Sequence, residues 1–370
     1  MPQTHRLTRV EIERFKSFRD ASVALGDLTV LVGPNGAGKS NFLELFDMVG
    51  AILARQLGRW VGQRGGAGRV LYNGVKQSSD MRIRLEYAAG SQGYEATLEA
   101  ASGGGLFFAD EWAWGTGFGY ANPYTQHLGS GHAETELHSQ VRSHPNGVCA
   151  WTLDCLSGWQ RYHFHDTSES AGVKQPGPIG DNRVLRRDGA NLAAFLYRLQ
   201  QQGEPSLARI RDAVQSVAPF FDDFVLEPQA ANDDTIKLEW RHRDSAVYGD
   251  ASTLSDGTLR FLCLATVLLQ PEPPAVILID EPELGLHPFA IQQLADMLQV
   301  AAKQVQVIVS TQSVTLLDQV AIGSIITAER IDGETRLAPV EADELQQWME
   351  EFSVGDLWLK NLIGARPRTA

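Results

Sequence analysis

The sequence predicts an α/β fold in which buried strands feed loops and helices, and three observations predict it. Leu28–Val32 is an unbroken apolar run, as expected of a strand buried on both faces. A Gly-rich loop follows, and then Phe42, Leu45, Phe46, Val49, Ile52 and Leu53 recur at helical spacing. Far along the chain a second apolar run, Ala275–Ile279, ends in paired acids.

The remaining elements can be placed around these anchors. Val10, Ile12 and Phe15 put a strand ahead of Leu28. Residues 56–120 are Gly-rich, and Met81–Tyr87 and Tyr94–Leu98 alternate as half-buried antiparallel strands do. Residues 121–150 are polar and His-rich and read as a loop and a helix; Trp159–His165 reads as a strand, and the Pro- and Gly-bearing stretch 166–183 as a linker. Helices are expected over Asn191–Gln202 and Leu207–Val217, and strands over Phe224–Leu226 and Thr235–Arg241. A helix over 254–270 follows a Ser-Asp-Gly turn, Pro288–Val305 reads as a helix, and Val305–Val309 as a buried strand. No internal repeat or heptad array is visible.

Composition narrows the class. The chain has 370 residues, 43% of them hydrophobic, which is enough for one large or two medium domains. It shows neither a membrane-length apolar stretch nor a signal-peptide pattern at its start, and its three cysteines form no CxxC pair. A cytoplasmic protein with no membrane partner is expected. The net charge of −13 disfavours tight, unconditional DNA binding, which needs at least a local basic patch. His127, His132, His138 and His144 match no common metal spacing, whereas His163 and His165 would share one face of the expected strand.

Two motifs carry chemistry. Gly33-Pro34-Asn35-Gly36-Ala37-Gly38-Lys39-Ser40 fits the GxxxxGK[ST] phosphate loop and sits, as that loop must, between a strand and a helix. Its backbone N–H groups and the helix N-terminus favour phosphate, Lys39 would neutralise the β- and γ-phosphates, and Ser40 would hold Mg²⁺. In the second motif, Asp280 would reach the metal through water and Glu281 would orient or deprotonate the attacking water. An acid directly after the Asp favours hydrolysis of ATP over phosphoryl transfer. A third segment, Leu254-Ser255-Asp256-Gly257-Thr258, is by itself a helix N-cap.

With these residues in place, the chain resembles the RecF, SMC and OLD branch of ABC-type ATPases. The resemblance runs through Arg14-Phe-Lys16-Ser-Phe18, the phosphate loop with Asn41, Leu254–Arg260 and Asp280-Glu-Pro-Glu-Leu-Gly-Leu-His-Pro288. Tyr162–Thr167, Arg187–Leu192 and Gly355–Asn361 extend it over nearly the whole chain, within a group of stand-alone RecF-like, AAA-family ATPases. It implies a P-loop NTPase of the ABC head type with an antiparallel β-subdomain and a small helical lobe. The expected division is an ATP-binding lobe over 1–165, a helical lobe over 166–250, the signature helix and second carboxylate motif over 251–335, and a tail over 336–370. It implies ATP and Mg²⁺ as ligands, Lys16 and Phe15 near the base, and a homodimer in which Ser255 and Gly257 of one copy meet the nucleotide held by the other.

The chain also departs from that pattern. Gln312, in Ser310-Thr-Gln-Ser313, stands where the branch often carries His; it can hydrogen-bond a γ-phosphate but cannot become charged, so turnover would be slow. Asp256 replaces a Gly and would either repel nucleotide or pair with a cation. No clear Q-loop glutamine is visible, and His165 and Asp166 stand near its place. Only about residues 166–250 stand where the long coiled coil of SMC proteins would emerge, and the tail is expected to be too short for the appended nuclease of OLD proteins. Two functions compete: an ATPase coupled to DNA in repair or anti-phage defence, and a slow nucleotide switch that serves as scaffold for a separate effector protein. Arg55, Arg59, Arg64 and Arg69 lie in a stretch free of acids and read either as a solvated basic face or as contacts to DNA or nucleotide.

Overall fold

A computed structural model describes residues 6–116, 124–244, 248–345 and 347–365. It divides into two compact units, Met1–Trp159 with Ala321–Ala370, and Gln160–Val320.

The first unit holds a six-stranded antiparallel sheet. Its order is Phe18–Ala24, Leu7–Phe15, Asp80–Tyr87, Gln92–Ala100, Leu106–Gly115, Tyr124–Gly129. Alternation decides the faces: Met81, Ile83, Leu85 and Tyr87 are buried, while Arg82, Arg84 and Glu86 point outward. The outward face is held by charge pairs across strands, with Glu95 accepting from Arg82 at 2.8 Å and from Arg84 at 3.0 Å. Glu111 lies on the buried side, fully enclosed. Its carboxylate accepts from Tyr94 Oη at 2.7 Å, from the Thr135 hydroxyl, and from the Glu136 backbone N–H at 3.0 Å. The expected polar stretch 121–150 contains the last strand of this sheet, the helix Leu137–Ser143 and the start of the helix Val148–Ser157; the part of that expectation over 121–123 lies outside the described residues.

A second sheet in this unit runs Glu334–Pro339, Ile325–Ile331, Leu28–Val32. Leu28–Val32 pairs in parallel with Ile325–Ile331, Val30 opposite Ile325. Val30, Leu31 and Val32 are fully buried, which is why they read as a continuous apolar run. The helix Lys39–Leu53 begins seven residues on and buries Phe42, Leu45, Phe46, Val49 and Ile52, with Phe46 packed on Trp159 at a ring separation of 4.9 Å.

The second unit is organised by two parallel strands, Val276–Asp280 and Gln306–Thr311, in a register that sets Asp280 opposite Ser310. The helix Pro288–Ala302 connects them, and the helices Asp256–Leu269 and Pro205–Val217 pack with it. Thr235–Arg241 is not one strand. It breaks into Asn232–Ile236 and Glu239–His242, which belong to different small sheets. The strand expected over Trp159–His165 ends at Tyr162, so His163 and His165 do not share a strand face. Among the described residues, no helix is long and apolar enough to cross a membrane.

Glu111 tests the packing of the antiparallel sheet. Replacing Glu111 by Ala strands two hydroxyls and an N–H and should cost about 3 kcal/mol, whereas Glu111→Gln should cost less. A thermal melt checks this, and an Ala variant melting like wild type would contradict it.

Candidate functional site

In the first unit the phosphate loop is shaped by close backbone packing. A Cβ on Gly33 would lie 2.2 Å from the Ala328 carbonyl oxygen. Gly38 has φ +105, and a Cβ there would lie 2.1 Å from Thr335 Oγ1. Only glycine fits either position. Thr335 is fully buried beneath the loop; its Oγ1 donates to the Ala37 carbonyl at 2.8 Å and lies 2.7 Å from Ser17 Oγ. Lys39 is 4% exposed, and its ammonium donates to the carbonyls of Gly33 at 2.6 Å and Pro34 at 3.2 Å. The cation is thereby held over the loop, while Asn35, Gly36 and Ser40 stay exposed.

Two expected nucleotide contacts have partners within the protein. Asn41 Nδ2 donates to Ser17 Oγ at 2.8 Å. Lys16, at φ +50 in the tight turn between Phe15 and Phe18, pairs with Glu44, which also holds Arg64. Burial alone would raise the Glu44 carboxyl, but these two cations outweigh it and hold the group below its ordinary value. Phe15 is fully buried and belongs to the core rather than to a base pocket.

In the second unit the acids sit at the carboxyl end of the strand Val276–Asp280. Asp280 accepts from the Ser310 hydroxyl through one oxygen and from Arg161 Nη2 at 3.0 Å through the other. Glu281 has φ +44, a left-handed conformation uncommon outside glycine. Its N–H donates to the Ser310 carbonyl at 2.9 Å, and its carboxylate accepts from the Gln312 amide. Glu283 accepts from Thr311 Oγ1 at 2.6 Å and from the Gln312 N–H at 3.1 Å. Its other oxygen is buried and has no partner among the described residues, and burial raises this carboxyl above its ordinary value. Gln312 is therefore held from both sides, through its side chain by Glu281 and through its backbone by Glu283.

Ser255 caps the helix Asp256–Leu269 and accepts from the Thr258 N–H at 3.2 Å. Asp256 does pair with a cation: the nearly buried Lys174 lies 4.0 Å away. A Cβ on Gly257 would lie 2.5 Å from the Gly285 carbonyl oxygen, so the cap turn packs directly on the turn that follows the acids. Arg260 fastens the same region, donating to the carbonyls of Phe164 at 3.0 Å, His165 at 2.9 Å and Leu284 at 2.9 Å. This clamp accounts for the early end of the strand at Tyr162. Burial keeps the His165 imidazole below its ordinary value against the opposing charge of Asp280.

Comparison with known proteins agrees with these parts. A family model described as "AAA domain, putative AbiEii toxin, Type IV TA system" matches residues 158–318, and one described as "AAA ATPase domain" matches residues 6–51. The chain is 44% identical over 43 residues to the OLD nuclease of Thermus scotoductus, covering 12% of this chain and 8% of that protein. It is 46% identical over 46 residues to Structural maintenance of chromosomes protein 1 of Schizosaccharomyces pombe, covering 12% and 4%. The match therefore spans only a small part of either curated relative. In fold, an SMC head bound to the C-winged helix domain of ScpA superposes with a TM-score of 0.60 at 15% identity, covering 92% of this chain and 99% of that one. An SMC head with an extended coiled coil, bound to the C-terminal domain of ScpA derived from Pyrococcus furiosus, gives 0.57 at 14%, covering 93% and 98%. In its motifs the chain is similar to RecF/SMC/OLD-like ATPases, and in fold it is similar to SMC heads.

Each motif, taken by itself, offers oxygens suited to Mg²⁺. The Ser40 hydroxyl and the Asp280 carboxylate are hard oxygens, and a carboxylate already holding two donors keeps lone pairs for metal-bound water. Sequence reasoning missed Thr335, Arg161, Lys174, Glu283 and Arg260 as supports. Only Glu283 and Arg260 lay within a quoted motif, and no spacing marks the other three.

The Arg260 clamp yields a local prediction. Arg260→Ala should raise amide hydrogen exchange in 163–166 and 283–287 while leaving the antiparallel sheet of the first unit unchanged. Unaltered exchange in those two segments would show that the clamp does not hold them.

Proposed function

We propose that this chain binds ATP with Mg²⁺, hydrolyses it slowly to ADP and phosphate, and uses the nucleotide to close a head-to-head dimer of two copies. The observation that carries the reading is the phosphate loop, in which a buried Lys39 is fixed over glycines that no larger residue could replace. In this reading Lys39 and the loop N–H groups take the β- and γ-phosphates. Ser40, and Asp280 through water, would hold Mg²⁺, which would supply charge neutralisation on the phosphate oxygens. Glu281 accepts a proton from the attacking water, and the Gln312 amide fixes the carboxylate that does so. Ser255 and Gly257, at an exposed helix N-terminus, offer N–H groups to the γ-phosphate held by the second copy.

Placed in a cell, the switch would couple to DNA in repair or anti-phage defence. The match to a family described with a toxin system and the partial likeness to an OLD nuclease support this setting. A second reading is a scaffold for a separate effector protein. Gln312, which cannot titrate, supports slow turnover, and the similar SMC heads are described as bound to ScpA. Filter binding of DNA with and without ATP separates the two readings: ATP-dependent retention supports the first, and none at low salt supports the second.

Lys39→Ala should weaken ATP binding roughly 100-fold, from the loss of charge-assisted hydrogen bonds worth about 3 kcal/mol; calorimetry showing unchanged affinity would remove the loop assignment. Glu281→Gln should keep binding, lose turnover and accumulate a dimer with ATP in sedimentation velocity, and adding Ser255→Arg should abolish that dimer. An ATP-driven dimer that survives Ser255→Arg would contradict the proposed closure.

A further inference from the structure

We infer that the stretch between Asp47 and Asp80 is a contact surface for the phosphate backbone of nucleic acid. In a protein of net charge −13, residues 48–79 contain no acid and five cations, Arg55, Arg59, Arg64, Arg69 and Lys76. One of the five is committed to the fold: Arg64 pairs with Glu44 and stacks over Trp60 at 3.8 Å. The side chains of the other four are exposed and make no hydrogen bond or ion pair among the described residues. The acids that touch the stretch are already engaged. Glu44 holds Lys16 and Arg64, and Glu134 accepts from the N–H groups of Leu57 at 3.1 Å and Gly58 at 3.2 Å. Four uncompensated cations within 22 residues of chain are a local reversal of the protein's charge.

The backbone supports a phosphodiester ligand over other polyanions. The cations are separated by Gly58, Gly62, Gly65, Gly66, Gly68 and Gly74, and at Gly62 a side-chain carbon would meet nothing within 4 Å. Such a surface lets a phosphate chain come close to the main chain while the exposed cations meet it. A membrane surface would ask for an apolar face beside the basic one. Here the apolar residues of the helix Leu57–Gln63, which are Leu57, Trp60 and Val61, are all buried. The contact is read as backbone-directed, so it carries no base specificity.

The inference concerns where nucleic acid would touch and does not depend on the nucleotide reading, because the test is made without ATP. Binding of a short fluorescein-labelled DNA duplex is followed by anisotropy over a series of salt concentrations. Four neutralised phosphates correspond to a slope of log K against log salt of about −3.6. The R55Q/R59Q/R69Q/K76Q variant should melt like wild type, because it removes no internal contact, and its binding should fall to background with a slope near zero. The control R209Q/R243Q removes two exposed arginines elsewhere and should bind like wild type. No wild-type binding at the lowest salt, equal loss in the control, retained binding in the quadruple variant, or capture by anionic vesicles in place of DNA would each overturn the assignment. Failure of Lys39→Ala to lose ATP would leave it standing.

Discussion

The strand Leu28–Val32 can hand over to the helix Lys39–Leu53 only because two backbone segments come closer than any side chain allows. Gly33 lies against the Ala328 carbonyl, and Gly38 lies against the Thr335 side chain in a left-handed conformation. Thr335 in turn donates to Ala37, so the loop is tied from beneath as well as squeezed from the side. The Lys39 ammonium, nearly buried, is held by the first two loop carbonyls. A buried cation is tolerated only when it is hydrogen-bonded, so these same contacts that shape the loop also fix its charge.

The same logic governs the acids of the second unit. A strand buried on both faces delivers two carboxylates to its end, where each charge must find donors. Asp280 has Ser310 and Arg161, Glu281 has Gln312, and Glu283 has Thr311 and the Gln312 N–H. Gln312 lies between the last two and takes its position from both. Around this group the cap turn and the turn after the acids are drawn together by the close approach of Gly257 to Gly285 and by the three carbonyls on Arg260. A rearrangement at either turn must pass through those contacts.

What the sequence made legible was local. The phosphate loop, the acid pair and the Ser255 cap each have a fixed spacing within a few residues, so a short window of chain is enough to place each one. The antiparallel strands are visible from alternation at Met81–Tyr87 and Tyr94–Leu98. What stayed hidden was long-range. Thr335 lies 298 positions from the carbonyl it holds, and Arg161 lies 119 positions from Asp280, distances over which no pattern survives. Thr235–Arg241 has the composition of a strand, yet two short sheets claim its halves. His163 and His165 alternate as strand residues do, yet Arg260 takes the carbonyls of Phe164 and His165 and the strand stops at Tyr162. The charge reversal between Asp47 and Asp80 is legible as composition, but only side-chain pairing separates the committed Arg64 from its four exposed neighbours.

On the reading proposed above, residues 33–40 form a phosphate cradle set in advance by the residue beneath it. Calorimetric titration of Thr335→Val with Mg-ATP, alongside wild type and with thermal melts of both, tests this most directly. The exchange keeps the shape of the side chain and deletes its hydrogen bond to Ala37 together with its contact to Ser17 Oγ. Wild type should bind and the variant should bind roughly tenfold more weakly, a loss of about 1.4 kcal/mol, with only a small change in melting temperature. Equal affinity in the two proteins, or no binding by either, would contradict it.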